Sequence, residues 1–176
     1  MEQRTEQDGG ILRYTLGERI VHWVVALSFV YLLLTGLALF YPPFYWLVGL
    51  FGGGPVVRYW HPIVGVIFFG ALVVMLLMWA RDMRLERHDR EWLRHMGDYA
   101  VGREEAVPPS GRFNAGQKLL FYLQFLAGTL LLLSGVVLWF PLSFGRLVRE
   151  ASFVVHDLAA IAAMGALILH IYMGVL

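Results

Sequence analysis

The chain has no cysteine among its 176 residues. Without cysteine it cannot form a disulfide, bind an iron–sulfur cluster through thiolates, or attach haem covalently through a C-x-x-C-H sequence. Any redox group on this chain must therefore be held by other side chains.

Charge is nearly absent from four long apolar runs. The first three contain no Asp, Glu, Lys or Arg, and the fourth contains only Asp157. A helix of about 20 apolar residues crosses a bilayer, and the 59% apolar composition with a mean hydropathy of +0.63 is typical of membrane proteins. We therefore predict an all-α fold, an integral membrane four-helix bundle that forms one domain over residues 1–176, with a polar loop at 81–118. The predicted spans are 20–40, 62–80, 119–140 and 153–176.

Basic residues are unevenly distributed between the connections. Eleven of the fourteen lie before the first span or in the 81–118 loop, whereas the 41–61 and 141–152 connections hold one and two. The positive-inside rule then predicts a multi-pass protein of the bacterial cytoplasmic (inner) membrane, with both termini and the 81–118 loop in the cytoplasm. The polar first 19 residues favour a retained first span over a removable signal peptide. We identify no internal repeat.

Four of the six histidines lie in or beside the spans, and the other two lie in the polar loop. His156 and His170 are fourteen residues apart in the fourth span, which puts them about 40° apart around the helix and about 21 Å apart along it. The predicted orientation brings His22 and His170 to the cytoplasmic face and His61 and His156 to the outer face. A haem with two axial imidazoles needs one ligand from each side, so these depths predict two haem sites.

Three other interpretations stay open for the histidines. Any one of them can pack or donate a hydrogen bond without binding a ligand. Intramembrane histidines also serve proton or metal transporters, but such sites usually add carboxylates, and only Asp157 lies within the spans. A purely structural anchor for an extrinsic enzyme would need no paired histidines.

Two arginines stand three residues before histidines, Arg19 before His22 and Arg58 before His61. Each is a candidate contact for a haem propionate. Ordinary snorkelling of arginine to the membrane interface is an equal alternative.

Four segments carry a resemblance to a known family: ERIVHW around His22, HPIVGV from His61, GRFNAGQKLLF before the third span, and VHDLAA with LILHIYM in the fourth. Together they resemble the cytochrome b (gamma) subunit of respiratory formate dehydrogenases over residues 13–176. Histidine-bearing spans alone would fit the cytochrome b subunit of a hydrogenase equally well. The RFNAGQK run is the more specific element.

The resemblance implies two haem b groups, one near the outer face held by His61 and His156 and one near the inner face held by His22 and His170. It also implies partners: an iron–sulfur (beta) subunit at the outer, periplasmic face, with a molybdenum- or tungsten-dependent catalytic (alpha) subunit beyond it. Electrons would then reach a quinone, menaquinone or ubiquinone, near the cytoplasmic face. The chain is expected to contact membrane lipid and no nucleic acid.

The resemblance further implies a quinone site at Asn114, Gly116 and Gln117 together with His170. The chain would thus be the electron-transfer and quinone-reducing subunit of a formate:quinone oxidoreductase, with no formate-oxidising site of its own. The alternative for these residues is helix capping, with Asn114 as the N-cap. Glu104 lies in the nearby loop, where we expect a solvated side chain.

Overall fold

The structure is a computed structural model and describes residues 13–103, 105 and 107–175. Six α-helices lie in this part of the chain, which contains no β-strand. Glu104 and Leu176, the end of the fourth predicted span, lie outside the described residues. The helices are α1 (Leu16–Phe40), α2 (Gly54–Trp79), α3 (Arg87–Arg94), α4 (Met96–Ala100), α5 (Ala115–Trp139) and α6 (Arg146–Val175).

Helices α1, α2, α5 and α6 are long and apolar enough to cross a membrane. They contain the four predicted spans, except that the second, third and fourth predictions each extend one residue past the end of the helix. Two 3₁₀ helices, Pro42–Phe51 and Pro141–Ser143, connect α1 to α2 and α5 to α6. The predicted all-α architecture with four membrane-spanning helices is confirmed, and the chain is a multi-pass membrane protein.

Helix α2 begins at Gly54, well before the predicted start of its span at 62. Gly52 and Gly53 turn the chain with φ angles of 88° and 98°, a region that favours glycine. Pro55 follows in the first helical turn, where its missing N–H costs nothing. His61 therefore lies inside the helix rather than at its edge, because the backbone continues past the point where the apolar run ends.

Helices α1 and α5 each start at a reciprocal capping box. Thr15 and Glu18 bond to each other's backbone N–H groups at the start of α1. Asn114 and Gln117 do the same at the start of α5, with distances of 2.9 and 3.0 Å. Such boxes satisfy N–H groups that have no partner within the helix, so both helices begin in polar sequence ahead of their apolar runs.

The four long helices run alternately up and down. Helix α1 packs along α2 and α5 along α6, while α2 and α5 join the two pairs. All four contribute to a buried centre formed by Phe29, Phe68, Leu72, Ala127 and Ala163. The starts of α1 and α5 and the ends of α2 and α6 share one end of the bundle. We call this the loop end because α3 and α4, which belong to the 80–114 segment, lie there, and we call the opposite end the turn end.

Polar contacts attach the 80–114 segment to the loop end. Lys118 of α5 donates to Asp89 of α3 at 2.9 Å, and both side chains are buried. At the far side of the segment, the Tyr172 hydroxyl of α6 donates to the carbonyl of Ala100 at 2.8 Å. Helices α3 and α4 are thereby held against the bundle, within the segment for which the sequence predicted only a polar loop.

Candidate functional site

At the turn end, α2 and α6 bring two histidines together. The ring centroids of His61 and His156 are 6.5 Å apart, and their planes are inclined by 56°. Both side chains are half-buried between the helices. The two residues predicted to share the outer depth are thus neighbours in space.

At the loop end, α1 and α6 bring together the other pair. The ring centroids of His22 and His170 are 6.0 Å apart, with an interplanar angle of 43°. His22 is half-buried, and His170 is exposed on the surface of the helix bundle. Since His156 and His170 share one continuous helix, α6 contributes one histidine to each pair.

The spacing within each pair suits a metal ion between two imidazoles. A metal bonded at about 2 Å to one nitrogen of each ring holds the nitrogens about 4 Å apart and the ring centroids roughly 6 Å apart. Centroid distances of 6.5 and 6.0 Å agree with that requirement. The donor set also matters: no group of three or more His, Cys, Asp or Glu in the described part of the chain is placed to hold a metal ion. Two opposed imidazoles per site fit a haem iron, whose other four ligands come from the macrocycle.

Hydroxyl groups orient both turn-end histidines. Thr35 Oγ1 on α1 lies 2.8 Å from His61 Nδ1, and Ser134 Oγ on α5 lies 2.9 Å from His156 Nδ1. The same hydroxyls reach backbone carbonyls one turn earlier, Tyr31 at 2.7 Å and Leu130 at 2.6 Å. A hydroxyl has one hydrogen to donate.

With that hydrogen given to the carbonyl, each hydroxyl oxygen accepts from the histidine Nδ1–H. Nδ1 is then protonated in both His61 and His156, so the Nε2 lone pair of each is free to bind a metal. A metal-binding histidine usually donates its other ring N–H to an oxygen in this way, which fixes its tautomer and the orientation of the ring.

Glycines stand directly beside the same two rings. A Cβ built on Gly36 would lie 3.6 Å from His61 Cε1, and one built on Gly135 would lie 3.4 Å from His156 Cε1. A longer side chain at either position would meet the imidazole. Small residues let a flat macrocycle lie close to the backbone, although they also let membrane helices pack closely without any ligand.

Sequence reasoning missed Thr35 and Ser134, and it missed a signal that points to them. The sequence LLLTGLALFYP at 32–42 is repeated as LLLSGVVLWFP at 131–141, in register with the two capping boxes. HPIVGVIFFGAL from His61 likewise matches HDLAAIAAMGAL from His156. The expectation of no internal repeat overlooked this local correspondence between the α1–α2 and α5–α6 pairs, which we call the repeat, with the two helix pairs as its copies.

The repeat would allow a second histidine pair at the loop end, but the matching positions hold other residues. In the second copy Phe121 occupies the position of His22, and in the first copy Met75 occupies the position of His170. Phe121 and Met75 share a buried apolar cluster of the bundle. The symmetry-related position is thus filled by core side chains and offers no nitrogen.

Both candidate propionate contacts are exposed. Arg19 and Arg58 each lie one turn before a histidine on the same helix, Arg19 at the loop end and Arg58 at the turn end. Their exposure is compatible both with snorkelling to the membrane interface and with contact to a haem propionate.

The predicted quinone-site residues lie in the first turn of α5. The side-chain oxygens of Asn114 and Gln117 are used in the capping box, so the capping alternative describes their local role. Their amide NH₂ groups are not needed for that cap. Gly116 faces the indole of Trp92 on α3, and a Cβ there would lie 3.0 Å from the ring.

Comparison with known proteins gives consistent matches. The family model described as prokaryotic cytochrome b561 matches residues 13–176. The cytochrome b556(fdo) subunit of formate dehydrogenase from Escherichia coli strain K12 is 34% identical over 165 residues, which cover 92% of this chain and 77% of that protein.

Two further relatives have similar names. The formate dehydrogenase cytochrome b556 subunit of Haemophilus influenzae is 31% identical over 170 residues, 95% of this chain and 71% of that protein. The nitrate-inducible cytochrome b556(Fdn) subunit of Escherichia coli strain K12 is 31% identical over 167 residues, 93% of this chain and 77% of that protein. The resemblance inferred from the four sequence segments is thereby confirmed.

Proposed function

Because this chain belongs to the prokaryotic cytochrome b561 family, we propose that it is the cytochrome b subunit of a respiratory formate dehydrogenase. Electrons from an iron–sulfur subunit at the outer face cross the membrane through two haem b groups and reach a quinone near the inner face. The observation that carries this proposal is the pair of opposed histidines at each end of one four-helix bundle.

Bound haem b supplies a one-electron couple at its iron. The residues of this chain hold and space the two groups: His61 and His156 at the turn end, His22 and His170 at the loop end. Helix α6 sets the separation, because fourteen residues of helix place its two histidines about 21 Å apart along the helix axis. Four apolar helices exclude water between the two sites.

The chain needs partners to obtain electrons, since without cysteine it cannot hold an iron–sulfur cluster. We place the iron–sulfur (beta) subunit at the turn end, with the molybdenum- or tungsten-dependent catalytic (alpha) subunit beyond it. Tyr45 and Trp46 of the 3₁₀ helix Pro42–Phe51 are exposed there, and aromatic residues are favoured both at membrane interfaces and in protein contacts.

We place the quinone at the loop end, beside the His22–His170 pair. The capping box consumes the side-chain oxygens of Asn114 and Gln117 and leaves their NH₂ groups as donors for a quinone carbonyl. The hydroxyl of Tyr172, two residues after His170, donates to the Ala100 carbonyl and holds α4 of the 80–114 segment at the same end. A quinone at this end would lie beside the polar 80–114 segment and so nearer to water for proton uptake than one at the apolar centre of the bundle.

The bias of basic residues toward the loop end supports a cytoplasmic position for that end in a bacterial inner membrane, with the turn end in the periplasm. Formate oxidation outside and quinone protonation inside would then move charge across the membrane without a proton pump. Fusing a reporter that is active only in the periplasm after residue 144, and separately after residue 103, tests the orientation. Activity of the second fusion alone would overturn it.

Spectroscopy of the purified complex tests the haem assignment. Reduced-minus-oxidised spectra and a pyridine haemochrome assay should give two haem b groups per chain. His61→Ala and His156→Ala should each remove the same haem, and His22→Ala and His170→Ala the other, whereas His88→Ala in the polar loop should remove neither. A native protein without haem would end the proposal. Failure of formate to reduce both haems in the intact complex would remove the assignment to formate dehydrogenase while leaving the cytochrome.

A further inference from the structure

We infer that Thr35 and Ser134 are positioning residues that hold the two turn-end histidines in one tautomer and lower the reduction potential of the haem bound there. This inference rests on the proposed function, since it presupposes haem between His61 and His156. It goes further by assigning a role to two residues that bind neither iron nor substrate.

The hydrogen bonds set the direction of the effect. Each hydroxyl gives its hydrogen to a carbonyl of its own helix and accepts from a histidine Nδ1–H at 2.8 or 2.9 Å. Accepting that N–H places more electron density on the imidazole and makes Nε2 a stronger donor. A stronger donor favours ferric over ferrous iron, so the potential falls.

The internal repeat supports the inference independently. Thr35 and Ser134 occupy equivalent positions in the two copies, and so do His61 and His156. In both copies the hydroxyl follows three leucines and precedes a glycine. The same bond is therefore built twice, once on each side of the same candidate haem.

The loop-end histidines lack such a hydroxyl partner. Within the residues that the structure describes, neither His22 nor His170 forms a hydrogen bond with another side chain, and the repeat positions that match them hold Phe121 and Met75. The added electron density is thus confined to the turn-end site. A lower potential at the turn end and a higher one at the loop end drives electrons toward the proposed quinone site.

Potentiometric titration of the two haems in the purified complex tests the inference. Thr35→Val and Ser134→Ala remove the acceptors, while Thr35→Ser and Ser134→Thr keep them. Thr129→Val and Ser28→Ala are matched controls, because those hydroxyls bond to carbonyls of their own helices and contact no histidine. The haem lost in His61→Ala identifies the turn-end signal.

We expect Thr35→Val and Ser134→Ala each to raise the midpoint potential of the turn-end haem. Mutating a hydrogen-bond partner of a metal-bound histidine typically changes metal affinity or activity 10–100-fold. We expect an effect at the low end of that range, so the ratio of reduced to oxidised haem at fixed potential should rise about tenfold, or about 59 mV for one electron. The loop-end haem, the conservative variants and the controls should keep the native potentials.

Unchanged potentials in both variants, with both haems retained, would overturn the inference and leave the proposed function standing. Equal shifts in the controls would also overturn it, because they would show a general effect of removing a hydroxyl. If Thr35→Val loses the turn-end haem, the midpoint potential of that haem in Ser134→Ala tests the inference instead, since this variant removes a single oxygen atom. Loss of that haem in both variants, with retention in Thr35→Ser and Ser134→Thr, would support the positioning role. A native complex without haem would refute the proposed function itself.

Discussion

The guanidinium of Arg112 donates to Oε1 of Glu18 at 2.5 Å, joining the segment before α5 to the first turn of α1. The same guanidinium reaches Asp82 at 2.7 Å, just after α2. Three chain segments meet in this one ion-pair network at the loop end. Glu18 lies one turn before His22, and Arg112 lies two residues before Asn114, so the network couples the two parts of the proposed inner site.

Arg112→Met should destabilise the folded protein. It keeps most of the apolar stem but leaves the Glu18 carboxylate, which is 7% exposed, without its cation. Removing one member of a buried ion pair costs about 3 kcal/mol, so the free energy of unfolding in detergent should fall by about that amount. Tryptophan fluorescence during denaturation measures it.

The matched control for that variant is Arg146→Met at the turn end. Arg146 also pairs with a glutamate, Glu150 at 2.6 Å, but both side chains are largely exposed. Exposed pairs contribute between zero and about 1 kcal/mol. Equal losses of stability in the two variants would show that burial at the loop end does not strengthen the Arg112 network.

Acidic pH should release α3 from the bundle. Burial raises the pKa of Asp89, but the backbone N–H of Glu86 and the ammonium group of Lys118 outweigh burial, and the pKa is lowered overall. A carboxyl with a lowered pKa stabilises the fold fully above its ordinary pKa of about 4. That contribution shrinks as the pH falls below about 4 and is gone below the lowered pKa of the folded state.

Proteolysis by an acid protease measures this release at the arginine-rich α3 segment. Cleavage within 86–100 should accelerate as the pH falls below about 4. Asp89→Asn should be cleaved readily already above the ordinary carboxyl pKa of about 4, within the acidic working range of the protease, and should lose the acid dependence. An unchanged dependence in Asp89→Asn would assign the titration to a different group.

Gly116→Ala should displace Trp92. The added Cβ would lie 3.0 Å from the indole, which is rigid and buried, so either α3 or the start of α5 must shift. Overpacking of this kind costs roughly 1–3 kcal/mol. Gly111→Ala is the control, because a Cβ there meets nothing within 4 Å. A red shift of the total tryptophan emission in Gly116→Ala alone is expected, and identical spectra in both variants would contradict the contact.

Asn114→Asp separates capping from quinone binding. The carboxylate keeps an oxygen for the Gln117 backbone N–H, so the cap survives, but the NH₂ donor is lost. Losing one hydrogen bond of about 1.4 kcal/mol should reduce quinone reduction about tenfold at low quinone concentration.

Haem content and reduction of the haems by formate are the readouts that should stay at native levels in Asn114→Asp. Asn114→Ala, which loses the cap as well, should also lower thermal stability. Quinone reduction at the native rate in Asn114→Asp would leave this residue with a capping role only.

The long helices and the histidine depths followed from sequence because both depend on local properties. Hydropathy and length predict a span without knowledge of its neighbours, and the helical repeat places His156 and His170 on one face. The bias of basic residues then ordered His22 and His61 by depth. The exact helix starts did not follow, since α2 and α6 continue beyond the apolar runs into polar sequence.

The amino-acid sequence by itself determined that this chain crosses a membrane with α-helices and carries histidines at two depths, because burial in hydrocarbon and helical periodicity are set residue by residue. Only the tertiary structure decided which polar groups meet. Thr35 reaches His61 across 26 residues of chain, and Arg112 reaches Glu18 across 94. Such contacts depend on how two helices pack side by side, and hydrogen-bond geometry between packed helices is not encoded in any single segment.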